Sequence, residues 1–587
     1  MKRYIFLFLW AFPSVFYAQV TLTSEITQPD LKKHLGILAS DSLGGRFPGS
    51  YGGNAASKYI ASSFKSAGLM LYNKTGFQPF EVLTNQEPGK NNMLQVSKKR
   101  FKMHSDFLPF PFSSNGTVKA EIVFAGYGLE VKTDSFEWAD YANVDVKGKV
   151  VLLLRGTPEA EKYQQLFSSY SDDIVKSIIA RDKGAVGVLF VSGKKYDEKE
   201  PLVEMNLRES AAGIPVFHIK REVANAILPK EQNIETLENQ VQTKPLSFAI
   251  KNQVSLTSQI IKHNAQTSNV IGIVYAPDTT LVKSYVVVGA HYDHLGMGGP
   301  GSSSRRQDTT AVHNGADDNA SGVSAILEVA AKLSQVKGNL KQNVIFVAFG
   351  AEEMGILGSK FFLDHPIVPV SSIKAMINLD MVGRLREDTM LQVNGTGTSK
   401  EAVDLIINTN KTYNFSLRMS AEGYGPSDHA AFYSKNIPVF YLSTGAHADY
   451  HTPIDDSEKI NFPGLEKVSL FTFDLLTKLA YSDSRLSFQE AGPQQASSGG
   501  RRYKITLGIM PDVNATTDNG LLVEFVTKGK PAYNGGMLKG DIITSVDGKP
   551  VKNIQDYMVR LSQLKAGKSV HVEVLRNGKT ELLIIQL

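Results

Sequence analysis

Five short motifs, each set just past a buried apolar run or in the loop beside one, constrain this chain more than anything else in it. They read AHYDH (290–294), NGADDNASG (314–322), AEE (351–353), NLDMVG (378–383) and DYHTPIDD (449–456). The runs at 285–289, 344–349, 376–379 and 439–442 are short, continuous and apolar, the pattern of strands buried on both faces of a parallel sheet. Between the first two, residues 321–333 carry Val323, Ile326, Leu327, Val329, Ala330 and Leu333 at helical spacing, and 463–479 reads as a closing helix. This alternation predicts an α/β fold, a mixed, mostly parallel sheet with helices on both faces. Ligands are then expected where the strands end.

The motifs bring imidazoles and several carboxylates together with no Lys or Arg of their own. Burying such a cluster costs several kcal/mol per ion unless something cationic binds. The 587 residues include no Cys, which excludes thiolate zinc sites, cysteine nucleophiles and disulfides. A divalent metal held by His, Asp and Glu remains, and zinc suits such a nitrogen and oxygen set, with cobalt or manganese as substitutes. Any one motif alone is ordinary, since H-x-D is common and paired surface glutamates are usually just solvated.

A chain of this length holds several domains. Residues 489–502, beginning QEAGPQQASSGG, lack an apolar period and read as a linker. Beyond it, strand-like runs at 521–526, 541–546, 570–575 and 582–587 surround a helix at 554–564. The segment GGMLKGDIITSVDGKPV (535–551) resembles a PDZ domain, which implies a peptide or protein C-terminus as its ligand. With a flexible linker ahead of it, this module (503–587) is expected to be separable from the rest. Strands at 150–154, 186–191 and 214–218 alternate with a helix at 172–183, and no catalytic cluster lies among them. There, YGLEVKTDSFEWADYANVDVKGKVVLLLRG (127–156) and KGAVGVLFVSG (183–193) resemble the protease-associated domain inserted in exported peptidases. The expected division is a host domain at 19–115 and 253–488, interrupted by an insert at 116–252.

Lys2 and Arg3 precede an apolar run at 4–12, and Ala18 stands at a cleavage position, so residues 1–18 read as a signal peptide. Export to the periplasm or beyond is expected. No later stretch has the roughly 18 apolar residues of a membrane span, so no transmembrane segment is expected in the mature chain. The balance of 63 Lys+Arg against 58 Asp+Glu, a net charge of +5 with no basic block, argues against nucleic acid as a partner.

The order of the motifs carries the strongest likeness. H-x-D after VVVGA, then GADDNASG, FGAEEMGILGS, INLDMVGR and YHTPIDD, with LASDSLGGRFPGSYGGNAASKYIASSFKSAGL (38–69) upstream, resembles the co-catalytic di-zinc exopeptidase family. That family includes leucyl-type aminopeptidases, glutamate carboxypeptidases and glutaminyl cyclases. The resemblance implies two zinc ions, one held by His291 and Asp380, the other by Glu353 and His451, with Asp318 bridging them. It further implies that Asp293 orients His291 and that Glu352 is the general base. Tyr424, in GYGPSDHAAF (423–432), matches the family tyrosine that stabilises the oxyanion, although Glu422 and Pro426 stand where some members have a disulfide. Asp317, His294 and His313 are expected as loop or supporting residues, and Asp428 and His429 in structural hydrogen bonds. The implied activity is an exported aminopeptidase acting on peptide substrates. Two other readings stay open: a zinc carboxypeptidase of the same family, whose substrate carboxylate needs a base such as Arg384, and a non-catalytic peptide-binding protein.

Overall fold

The computed structural model describes residues 25–133, 136–159, 163–168, 170–205, 210–278, 283–483, 486–492, 505–512 and 520–587. The signal-peptide segment 1–18 and residues 493–502 of the expected linker lie outside them.

The host domain is built on a nine-stranded sheet. At its centre Tyr285–His291 lies parallel to Asn343–Phe349 on one side and to Ile373–Leu379 on the other, and Val439–Ser443 continues the parallel run. Both flanks join antiparallel: Ile260–Val274 pairs with Asn343–Phe349, and Met390–Asn394 with Val439–Ser443, beyond which Ser416–Ser420 pairs parallel with Met390–Asn394. The sheet is therefore mixed, with a parallel centre of mostly apolar strands. Chain order reverses at Tyr285–His291, because the next two strands are laid on opposite sides of it. Such a switch point opens a crevice at the carboxyl ends of the strands.

Register decides what enters that crevice. His291 stands opposite Phe349, and Gly289 opposite Asn378. His291, the residues after Phe349 and the residue after Leu379 therefore emerge side by side. Successive side chains alternate between the two faces. Val286, Val288 and Phe346 share a core with Leu35, Phe64, Ile326 and Leu475, from helices Gln28–Leu38, Tyr51–Ser66, Gly322–Gln335 and Phe462–Ala480. Val287, Ile345 and Val347 pack with Phe362 and Phe432, from the short helices Leu357–Asp364 and His429–Ser434.

The insert has its own eight-stranded sheet around the parallel strands Val150–Leu154, Gly187–Val191 and Val216–Ile219. It starts earlier than the sequence suggests. Met93–Val96, Lys99–Phe101 and Phe107–Pro109, expected in the host, all pair into this sheet. These strands are three or four residues long, and Met93–Val96 and Phe107–Pro109 have distant partners (Ser247–Ser258 and Val216–Ile219), while Lys99–Phe101 pairs back on Met93–Val96, so no local period marks them. The insert joins its host through one long antiparallel pair, Phe77–Pro88 against Ile260–Val274.

The C-terminal module pairs Leu521–Val526, Ile542–Val546, Ser569–Arg576 and Lys579–Gln586 antiparallel, with helix Ile554–Gln563 beside them. It is docked rather than separate. Val559 joins the core of the insert, Arg560 pairs with Asp182, and Arg181 pairs with Asp556 at 2.9 Å. On the host side Lys360 pairs with Asp512 at 2.7 Å, and the Phe525 ring packs on Tyr424 and Tyr433. A linker's composition reports its own stiffness and says nothing about the surfaces it joins. Among the described residues, no helix is long and apolar enough to cross a membrane.

Candidate metal centre

The five motifs meet in the crevice. His291 ends the first central strand, Glu352 and Glu353 follow the second within a turn, and Asp380 directly follows the third. Asp318 lies in the segment leading into helix Gly322–Gln335, and His451 in the loop after Val439–Ser443. Nε2 of His291 stands 3.2 Å from Asp318 Oδ1 and 3.5 Å from Asp380 Oδ1. Nε2 of His451 stands 3.2 Å from Asp318 Oδ2 and 3.1 Å from Glu353 Oε2. Two donor sets thus share Asp318, one through each of its oxygens.

These separations match the chemistry. Four ligands at 2.0–2.1 Å around a tetrahedral divalent ion lie roughly 3.3 Å apart. Nε2 of His451 is buried among carboxylate oxygens and makes no hydrogen bond, an orphaned polar atom of the kind a cation satisfies. The titration behaviour agrees. Burial pulls His291 and His451 down, yet neighbouring carboxylates outweigh it and lift His291 well above its ordinary value and His451 to about 10. Burial pushes Asp318 up, but the two imidazoles beside it hold it well below the carboxylate range.

Asp293 is fully buried beneath the site, and its role differs from the expected one. Its carboxylate is 3.9 Å from His291 Nδ1, which instead faces the Asp293 backbone oxygen at 3.2 Å. Oδ1 accepts from the Glu352 N–H at 3.0 Å and Oδ2 from the Glu353 N–H at 3.3 Å. Asp293 therefore sets the glutamate pair rather than the imidazole ring. Glu352 belongs to neither donor set, and its Oε2 lies 3.9 Å from His291 Nε2. Burial raises its pKa well above the ordinary value; the His291 charge opposes this, while Asp428, Glu353 and Asp380 add to it.

Asp317 braces the loops, accepting from Gly383 N–H at 2.6 Å and from the Ser321 hydroxyl at 3.0 Å. His313 meets the Ser304 hydroxyl at 2.8 Å, a loop contact as expected. Asp428 and His429 are fully buried; His429 packs on Tyr441 and makes no ring hydrogen bond. Arg384 is held by Asp449 at 2.7 Å and Asp455 at 3.4 Å.

Tyr424 is not brought to the cluster. Its hydroxyl donates to the Glu524 carbonyl of the C-terminal module at 3.4 Å, and its ring lies against Tyr433 and Phe525. Sequence reasoning also missed three residues. Arg46 is a buried guanidinium whose N–H groups bind the carbonyls of Leu38, Tyr292, Asn314 and Gly315, tying the upstream segment to two motif loops. Burial lowers its pKa to about 10 against the pull of nearby carboxylates. Asp455 Oδ2 accepts from the N–H groups of Asp317 and Asp318 at 2.9 and 3.1 Å, which fixes the residue the two donor sets share. His294, expected as a loop histidine, sits against Glu353 at 2.7 Å. The only signals were an arginine in a glycine-rich stretch, the first acid of PIDD and the last residue of AHYDH.

Comparison with known proteins places these modules. Residues 269–475 match the sequence profile of peptidase family M28, 118–227 that of the PA domain and 506–587 that of the PDZ domain. Aminopeptidase YwaD of Bacillus subtilis (strain 168) is 30% identical over 348 residues, covering 57% of this chain and 63% of that protein. An aminopeptidase of Pseudomonas aeruginosa is 27% identical over 357 residues, covering 59% of this chain and 55% of its own length. The chain thus spans little more than half the length of these relatives. A solved aminopeptidase from Aneurinibacillus sp. strain AM-1 superposes with a TM-score of 0.48 at 21% identity, over 82% of this chain and 99% of that one. In chain order, then, a stretch that matches a PA domain, one that matches peptidase family M28 and one that matches a PDZ domain follow one another.

Proposed function

We propose that this chain is an exported, zinc-dependent aminopeptidase that removes N-terminal residues from peptides. The observation that carries the reading is the pair of donor sets joined through Asp318, with Glu352 beside them and outside both. Two zinc ions held there, one by His291, Asp380 and Asp318, the other by His451, Glu353 and Asp318, would polarise a peptide carbonyl and acidify a water. Glu352 then acts as the proton carrier. Its free carboxylate takes the proton of the attacking water on an oxygen and hands it to the nitrogen of the leaving amine. Asp293 keeps that carboxylate in place by holding the Glu352 backbone N–H.

The end of the peptide follows from the basic groups nearby. A carboxypeptidase needs a free cation for the substrate carboxylate. Among the described residues beside the motifs, Arg384 is engaged by Asp449 and Asp455 and Arg46 by backbone carbonyls, while Arg305, whose backbone N–H meets the His451 carbonyl, is exposed. An acidic crevice suits a substrate ammonium instead. The PDZ domain supports a peptide or protein C-terminus as a second partner, and the leader pattern at 1–18 supports a periplasmic or secreted location. The test is hydrolysis of free against N-acetylated aminoacyl p-nitroanilides by the purified chain, alongside C-terminally free peptides. Cleavage of the free-amine substrates alone is expected. Release of C-terminal residues, or equal cleavage of blocked substrates, would overturn the reading.

A further inference from the structure

His294 lies three residues beyond His291, in a loop the sequence marks as unremarkable. Its ring is completely buried, and Nδ1 stands 2.7 Å from Glu353 Oε1. Because a carboxylate only accepts, Nδ1 carries the hydrogen, in a bond of the length of a charge-assisted pair. The other oxygen of the same carboxylate, Oε2, faces His451 and, across it, Asp318. The last torsion of a glutamate is soft and roughly two-fold. Nothing in the Glu353 side chain itself decides which oxygen faces the crevice, or whether both do.

The surroundings are built to hold the His294 ring. Gly315 has a positive φ of 53°, and a Cβ there would lie 2.5 Å from the His294 ring and 2.2 Å from the Asp318 carbonyl oxygen. Only glycine lets this loop close over the imidazole. Arg46 binds the Gly315 carbonyl and the Tyr292 carbonyl, so one buried cation pins the loops on both sides of the ring.

Nδ1 of His294 is also 3.9 Å from Asp318 Oδ2, and His294, Asp318 and Glu353 form a group close enough to hold an ion. The short contact decides between ligand and support. Two ligands of one tetrahedral ion lie roughly 3.3 Å apart, whereas 2.7 Å is a hydrogen bond. We propose that His294 is a positioning residue, whose Nδ1–H holds Glu353 Oε1 so that Oε2 alone is presented beside His451 and Asp318. This rests on the zinc reading above, and it assigns the second cation position a one-oxygen glutamate.

The test is cobalt titration of the metal-free full-length chain, followed by d–d absorption and calorimetry, for wild type, His294→Asn and His294→Leu. The Asn side-chain amide keeps a donor near Nδ1 but is a poor metal ligand; Leu keeps bulk without a donor. Wild type is expected to take two cobalt ions per chain. In His294→Leu one site weakens by about 10-fold to 100-fold, the usual cost of losing such a support, while the other is unchanged. His294→Asn recovers most of that loss and the wild-type band position. The proposal is overturned if His294→Leu binds both ions as wild type does. It is equally overturned if His294→Asn loses as much as His294→Leu, which would make the ring nitrogen a ligand or the ring mere packing. Should His294→Leu fail to fold by circular dichroism, His294→Ala takes its place. Wild-type protein that takes up no cobalt would instead remove the zinc reading itself.

Discussion

The acid–imidazole cluster and the Tyr424 loop were both expected to line one crevice, yet they are held in different ways. In the cluster, His291, the Glu352–Glu353 pair and Asp380 hang from the carboxyl ends of adjacent parallel strands whose register sets their spacing, and Asp318 and His451 reach them from adjoining loops. The Tyr424 loop follows Ser416–Ser420, a strand with one neighbour in the sheet, and is held from outside by Glu524 and Phe525, a hundred residues downstream. A residue placed by sheet register can be located from motif order. One placed by a docked module cannot, because the sequence does not show which surfaces meet.

The largest effect is expected on the register side. Glu352→Gln keeps size and backbone contacts but removes the proton acceptor, so kcat should fall about 100-fold to 10,000-fold with metal content intact. Steady-state kinetics with metal analysis checks this, and a variant that lost its metal would make Glu352 a ligand.

Next comes proton linkage at the cluster. His451 is raised to about 10 in the folded metal-free chain from an ordinary 6.5. A raised folded value means the imidazolium contributes stability that is fully present below pH 6.5 and lost as pH climbs through 10. Metal must displace that proton, so zinc affinity should rise by up to about tenfold per pH unit for each proton released. Calorimetry at several pH values, with buffers of different ionisation enthalpy, reads both affinity and proton release. A flat affinity between pH 7 and 9 would break the account of the cluster's charge.

Truncation after Phe488 sharpens the comparison from the other side. It removes the groups holding Tyr424 and none of the ligands, so metal stoichiometry should be unchanged while the thermal midpoint falls, through loss of the Lys360–Asp512 and Arg560–Asp182 pairs and of the Phe525 contacts. If the truncated chain no longer bound metal, the two regions would not be independent. Tyr424→Phe is the smallest change. It should cost about 0.5–1.5 kcal/mol of stability, the worth of one hydrogen bond. An oxyanion donor would instead be worth roughly 100-fold to 1,000-fold in rate, and kcat for the variant decides between them.

Much of the host fold was legible because its central strands are mostly apolar, and its helices carry clear periods at Gly322–Gln335 and Phe462–Ala480. The metal-ligating candidates were legible through their order along the chain. What escaped depended on contacts between distant segments. Met93–Val96 and Phe107–Pro109 pair with residues over a hundred positions away, and Arg46 works through four backbone carbonyls that leave no trace in residue type. Asp293 was found but given the wrong partner, since H-x-D spacing suggests the imidazole while the strand register offers the Glu352 and Glu353 amides.

The central claim is that Asp318 joins two cation sites, and the most direct measurement is the zinc content of the purified chain, paired with its activity before and after chelation. Two zinc ions per chain are expected, with activity lost in chelator and restored by zinc, and with Asp318→Asn binding fewer than two. A chain that contains no zinc and keeps its full activity in chelator would contradict it.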